Sequence, residues 1–198
     1  MIALSDLKAA AERLRDAMER EADALNAADG ALGDGDLGVT LRRGSRAIAE
    51  RIDEMPEDDL GRALMVAAQA VTKVSSSSYG TLMATGLMAM AREVKGQGMI
   101  EPAQLSALVA AARDRMMERG KAELGGKTVL DSLDAIAGAL EEGRDPVAAA
   151  EDAQRAFRDR PATVGRARIF AEKSVGMDDP GMLAMTHIVR ALAGHQPS

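Results

Sequence analysis

Leucine, methionine, isoleucine and alanine recur three or four residues apart along most of the chain, which is the period of one buried helical face. The first segment carries Leu4, Leu7, Ala11, Leu14, Met18, Ala22 and Leu25 at this spacing. Ser5 is its expected N-cap, and Arg13, Arg15, Glu19 and Glu21 fill the opposite face. A second helix is predicted from near Val39 through Leu41, Ile48, Ile52 and Met55, stopping at Pro56. A third runs from about Glu57 through Leu60, Leu64, Ala67, Val71 and Val74. The fourth, Thr81 to Lys95, is apolar nearly all round and so predicts a helix buried on most sides, ended by Gly96 and Gly98. A fifth covers Pro102 to Glu118, and a sixth covers Thr128 to Glu142. Asp145-Pro146 and Asp179-Pro180 each set a capping residue before a proline at the first helical position, opening a seventh and an eighth. No stretch alternates long enough to predict a strand, and no repeat of roughly 30 to 45 residues is visible. The expectation is an all-α bundle or barrel of eight helices, a single domain spanning residues 1–198.

Composition narrows the chemistry. Apolar residues make up 46% of the 198, yet aromatics are only 2%, so the core must be built from helix-favouring aliphatic side chains. There is no cysteine, which excludes a disulfide scaffold, a thiolate metal site and a cysteine nucleophile. Two histidines, His187 and His195, are too few for an imidazole metal site. His187 lies beside the apolar stripe of the last helix and reads as packing. The net charge of −6 argues against nucleic acid or an anionic membrane as partner. The first residues show no signal-peptide segment, and no apolar run reaches the roughly 20 residues of a membrane span. A cytoplasmic protein is expected.

Three loops interrupt the helical pattern. DGALGDGDLG, residues 29 to 38, holds three aspartates (Asp29, Asp34 and Asp36) among four glycines just before a helix. Carboxylates held so close resist ionising together unless a cation sits between them, and hard oxygen ligands suit Mg²⁺ or Ca²⁺. A calcium loop of the EF-hand kind needs an acid at its twelfth position, where Thr40 stands. VSSSSYGT, residues 74 to 81, leads into the buried helix, and hydroxyls and amides at a helix N-terminus suit an anion. RGKAELGGKT, residues 119 to 128, lacks the glycine and the strand that a Walker phosphate loop requires, though Lys127 between Gly126 and Thr128 suggests a role beside phosphate. A fourth stretch, GRARIFAEKSVGMDDPG at 165 to 181, offers Arg166 as a phosphate ligand.

Taken in order, GDGDLGVTLRRG (33 to 44), SSSSYGT (75 to 81), RGKAELGGKTVLD (119 to 131) and GRARIFAEKSVGMDDPG (165 to 181) resemble the nucleotide-binding subunit L of dihydroxyacetone kinases. The resemblance covers nearly the whole chain. It implies a barrel of eight antiparallel amphipathic helices with Mg-nucleotide bound in the loops at one end. By it, Asp29, Asp34 and Asp36 hold two Mg²⁺ ions, and the loop of Ser75, Ser76, Ser77 and Ser78 cradles phosphate. Leu37, Gly38, Thr40, Gly120, Thr128, Val129, Asp179 and Gly181 line the ATP/ADP site, and Arg166 reaches the phosphates as the catalytic residue. The resemblance also implies that the ketose is carried by a separate subunit K. The family usually has His where Leu37 stands, Asn at Thr40, a longer glycine-rich phosphate loop, and Asp at Gly126.

Two functions fit these residues. One is the ATP-binding subunit of a two-component kinase for dihydroxyacetone or a related small ketose. The other is a module that keeps ADP bound as a phosphoryl relay, loaded by a phosphotransferase-system phosphocarrier protein, or acts as a regulatory partner.

Overall fold

A computed structural model describes residues 1–194, with every side chain in that range except that of Arg166. His195 lies outside the described residues. Eight helices follow one another: α1 (Leu4–Leu32), α2 (Leu37–Ala49), α3 (Leu60–Val74), α4 (Ser78–Glu93), α5 (Gln104–Gly120), α6 (Val129–Glu141), α7 (Pro146–Phe157) and α8 (Pro180–Ala193). Each packs on its neighbours in the chain, and α8 closes back on α1, so the helices form an up-and-down ring.

The predicted boundaries shift where local capping differs from the pattern. Ser5 lies inside the first turn of α1; the N-cap is Ala3, whose N–H donates to Asp6 Oδ2 at 2.8 Å. Helix α2 starts two residues before Val39 and ends at Ala49, short of the predicted Met55. Met55 precedes Pro56 and is held extended, so the chain tightens into a 3₁₀ turn at Ile52–Glu54 first. Helix α3 begins at Leu60 because the Asp59 carboxylate caps the Arg62 N–H. One strand pair was absent from the pattern. Ile2–Ala3 (β1) pairs antiparallel with Met99–Ile100 (β2), too short for alternation to show.

The aliphatic core divides into two main clusters and a small third of Leu32, Ala162 and Ala167. One cluster joins α1, α6, α7 and α8 through Met18, Leu25, Leu133, Met185 and Ile188, among others. The second joins α3 and α4 to the far ends of α1, α2 and α5 through Leu4, Ile48, Leu64, Ala91 and Leu108. Small residues let the helices approach closely. At Gly38 a Cβ would stand 1.9 Å from the Ala22 carbonyl oxygen, so α2 crosses α1 only with glycine there. His187 of α8 is largely buried, as its packing role requires, with Nδ1 3.7 Å from Glu21 Oε2 on α1. No helix among the described residues is long and apolar enough to cross a membrane.

Alternation of direction puts the N-termini of α2, α4, α6 and α8 at one end of the ring. The connections at that end include 121–128 and the longest one, 158–179.

Candidate functional site at the even-helix end

Four helix N-termini facing one end concentrate positive partial charge and unpaired N–H groups there. A cleft of about 270 Å³ opens among them. Its polar wall starts with α1, which runs on through Asp29 and Gly30 to Leu32, so the connection to α2 is only residues 33–36. Asp29 therefore sits on the last turn of a helix. Its Oδ2 accepts the N–H groups of Asp36 at 3.0 Å and Leu37 at 3.3 Å, doing for α2 what the N-cap residue Asp36 does not. One carboxylate oxygen each from Asp29, Asp34 and Asp36 lies within 4.8 Å of the others. That donor set, three hard anionic oxygens at the rim of an anion-attracting cleft, fits Mg²⁺.

The serine loop forms the next wall. Ser77 is the N-cap of α4, and its Oγ accepts the Gly80 N–H at 3.0 Å. Ser75 Oγ lies 3.1 Å from Ser77 Oγ, and Thr40 Oγ1 donates to the same oxygen at 3.2 Å. Ser77 and Ser78 line the cleft, whereas Thr40 and Ser75 stand behind them as supports, and Ser76 and Gly38 lie outside the lining. Across the cleft are Gly120 at the end of α5, Thr128 and Val129 at the start of α6, and Asp179 and Gly181 at the start of α8. Thr128 and Asp131 form a capping box, and Asp131 also accepts the Gly125 N–H at 2.5 Å. The side chain of Arg166 lies outside the described residues; its neighbours Gly165 and Ala167 both line the cleft.

Beside Leu37, which the resemblance already placed at the nucleotide site, several lining residues carried no sequence signal beyond core spacing. Leu37, Leu82, Met116, Leu130 and Val164 make an apolar floor, and Tyr79 donates its hydroxyl to the Gly181 carbonyl at 3.2 Å. Burial, and secondarily Asp179, raises the Tyr79 pKa, so the phenol stays protonated. Gly126 also gains a reason here. A Cβ on it would stand 2.7 Å from Val164 Cγ2, so Val164 occupies the space a side chain would take.

Asp179, 9% exposed, caps α8 by accepting the Met182 N–H at 2.9 Å. Burial pushes its pKa from 3.8 up to about 6; Met182 and Gly181 N–H groups and Lys127 oppose this, and Asp131 adds to it. A carboxyl whose folded pKa exceeds its unfolded value binds extra protons in the native state between those two values. Its cost to stability is absent below about pH 4 and complete above about pH 6. Asp179→Asn keeps the cap and removes the charge, so without nucleotide or metal it should stabilise the protein by about 2 kcal/mol at pH 8. The gain should shrink as pH falls through about 6 and approach zero below about pH 4. Paired thermal melts across that range check this, and a variant less stable than wild type at pH 8 would show the carboxylate to be net favourable.

With this geometry established, comparison with known proteins is direct. The DAK2 domain matches residues 31–194. The chain belongs to that family. Among curated relatives, this DAK2 chain is 27% identical over 168 residues to the ADP-binding subunit DhaL of PEP-dependent dihydroxyacetone kinase 1 from Listeria innocua, covering 85% of this chain and 84% of that one. The Escherichia coli ADP-binding subunit DhaL is 26% identical, with 91% of each chain covered. Human triokinase/FMN cyclase is 34% identical over 85% of this chain, which spans only 31% of that longer protein. The DAK2 fold matches the crystal structure of C. freundii dihydroxyacetone kinase in complex with AMP-PNP and Mg²⁺, with a TM-score of 0.72 and 26% identity. The match covers 96% of this chain and 33% of that one.

Proposed function

We propose that this DAK2 chain is the Mg-nucleotide-binding subunit of a two-component kinase that phosphorylates dihydroxyacetone or a related small ketose. The observation that carries this is the meeting of two opposite demands at one cleft. Asp29, Asp34 and Asp36 gather negative charge within 4.8 Å, while α2, α4, α6 and α8 aim their positive ends at the same place. Carboxylates alone suit a cation and helix ends alone suit phosphate; Mg-nucleotide satisfies both. Relatives named as ADP-binding subunits, and one crystallised with AMP-PNP and Mg²⁺, support the reading.

In this reading the three aspartates hold two Mg²⁺ ions, whose contribution is counter-charge for the phosphate oxygens. Ser77, Ser78 and the first turn of α4 hold phosphate, Leu82 and Met116 pack against the base, and Arg166 reaches the phosphoryl group being transferred. Subunit K brings the sugar hydroxyl. The cytoplasm, where Mg-ATP is abundant, is the compartment this requires.

A second reading, ADP retained as a phosphoryl relay charged by a phosphotransferase-system protein, is favoured by the PEP-dependent names of the Listeria and E. coli relatives and by the PTS-dependent name of a Lactococcus lactis DhaL, 29% identical over 85% of this chain. Both readings expect the same first result. Mg-ADP at about 100 times its Kd should stabilise the chain by about 2.7 kcal/mol, and ADP with a chelator far less. Equal melting temperatures with and without Mg²⁺ would refute a metal-bridged site. Mass spectrometry of nucleotide released after incubation with excess ATP separates free exchange from retained ADP.

A further inference from the structure

Lys127 reads in the sequence as a phosphate-side lysine, between Gly126 and Thr128, but its ammonium points elsewhere. The residue is 1% exposed, has a left-handed backbone (φ 60°) and is not among those lining the cleft. Nζ donates to three backbone carbonyls: Arg158 at 2.9 Å, Arg160 at 2.9 Å and Ser174 at 2.7 Å. Those three bonds use all three of its protons. Burying an ammonium is costly, and burial pulls its pKa below the ordinary lysine value, with Asp179, Asp178 and Asp159 acting the other way.

The three carbonyls flank one segment. Arg158 and Arg160 precede residues 161–173, and Ser174 follows them. Three more bonds cross the same neck: Gly176 N–H to the Arg158 carbonyl at 2.9 Å, Arg158 Nε to the Gly176 carbonyl at 2.9 Å, and Ala162 N–H to Ser174 Oγ at 2.8 Å. The body of the segment presents Val164, Gly165 and Ala167 to the cleft. It rests on the end of α1, where Ala162 and Ala167 pack with Leu32 and Lys173 donates to the Ala31 carbonyl at 3.0 Å. The neck thus joins the start of α6, one cleft wall, to the segment that forms another.

We infer that Lys127 is a positioning residue that fastens residues 161–173 over the cleft and so sets how long Mg-nucleotide remains bound. The inference rests on the nucleotide reading above. Lys127 holds both ends of the segment to each other and to the start of α6, so moving the segment with its neck away from the cleft breaks charge-assisted bonds to three carbonyls at once. The clamp acts on release more than on entry, because it holds the closed arrangement.

The test uses the whole chain, Mg²⁺ and a fluorescent ADP analogue, with release followed after a chase of unlabelled ADP. Lys127→Met keeps the length of the stem and removes the donors. It should release the analogue at least about tenfold faster, with association changed by less than about twofold. Amide exchange should quicken selectively over residues 161–176, with or without nucleotide. Leu64→Ala, which opens a cavity in the other core cluster, should lower the melting temperature yet keep the wild-type release rate. Wild-type release from folded Lys127→Met overturns the clamp, as does equal acceleration by Leu64→Ala. Failure of the wild-type chain to bind Mg-ADP overturns the nucleotide reading itself, and the residence-time role with it. Should Lys127→Met not fold, Ser174→Ala cuts the side-chain tie across the same neck. It should speed release about threefold, and no change would overturn the inference.

Discussion

Asp34→Ala should bind Mg-ADP about 100-fold more weakly than the wild-type chain, a loss of about 2.7 kcal/mol, while folding normally. The three carboxylates are unequal in what else they do. Asp29 holds the first turn of α2 through the Asp36 and Leu37 N–H groups, so its truncation would remove a cap together with a metal ligand. Asp34 lies exposed in the four-residue connection 33–36, outside both core clusters, and its loss leaves the packing intact. Removing one of three like charges within 4.8 Å also relieves repulsion in the metal-free protein. Asp29→Asn separates the two duties of Asp29. The amide oxygen still accepts the α2 N–H groups, but the charge a divalent ion needs is gone. It should match the affinity loss of Asp34→Ala with little loss of stability. Calorimetric titration with Mg-ADP, and with ADP plus chelator, measures both. Wild-type Mg-ADP affinity in Asp34→Ala would remove the aspartates from the site.

The helices were legible in the sequence because each buries one face against a ring, and burial of one face is what a three-to-four spacing encodes. Caps with a side chain suited to the task were legible too: Asp145 and Asp179 stand where they were expected. What failed were assignments that depend on hydrogen-bond partners which residue spacing does not show. Asp29 looked like a loop residue because Asp-Gly favours turns, yet α1 continues through it while its carboxylate serves α2. The Ala3 cap was hidden because its partner, Asp6, supplies the side chain. Lys127 misled for a similar reason. A lysine between glycine and threonine resembles a phosphate ligand, and only the folded 158–176 segment supplies the three carbonyls that turn it inward. The apolar floor was hidden differently: Leu82 and Met116 keep ordinary core spacing, and nothing local marks which core residues border a cleft.

The isolated chain should not phosphorylate dihydroxyacetone, and turnover should appear when a ketose-binding subunit is added. The cleft offers carboxylates, hydroxyls, helix N-termini and an apolar floor, all suited to holding nucleotide. Lys127, the one lysine whose neighbours suggested a place near a reacting group, is committed to three carbonyls and cannot hold a ketone covalently. His187 faces Glu21 on the outer flank of α8 and α1, away from the cleft lining. A triose arriving from solvent would find nothing to align its hydroxyl with the phosphoryl group, and that alignment is worth several orders of magnitude in rate. On the proposed function, the second subunit covers the even-helix end. The 158–179 segment carries an apolar patch for such contact, with Ile169 80% exposed and Phe170 and Val175 also at the surface. Ile169→Asp should weaken coupled turnover by about tenfold or more while leaving Mg-ADP affinity unchanged. Lys173→Glu is a poorer probe, because Lys173 ties the segment to the Ala31 carbonyl and its reversal would loosen the cleft wall itself. The deciding assay follows triose phosphate formation from Mg-ATP and dihydroxyacetone, first with this chain alone and then with a partner subunit. Turnover by the lone chain would place the sugar site within these 198 residues. Full coupled activity in Ile169→Asp would move the docking surface off the 158–179 segment.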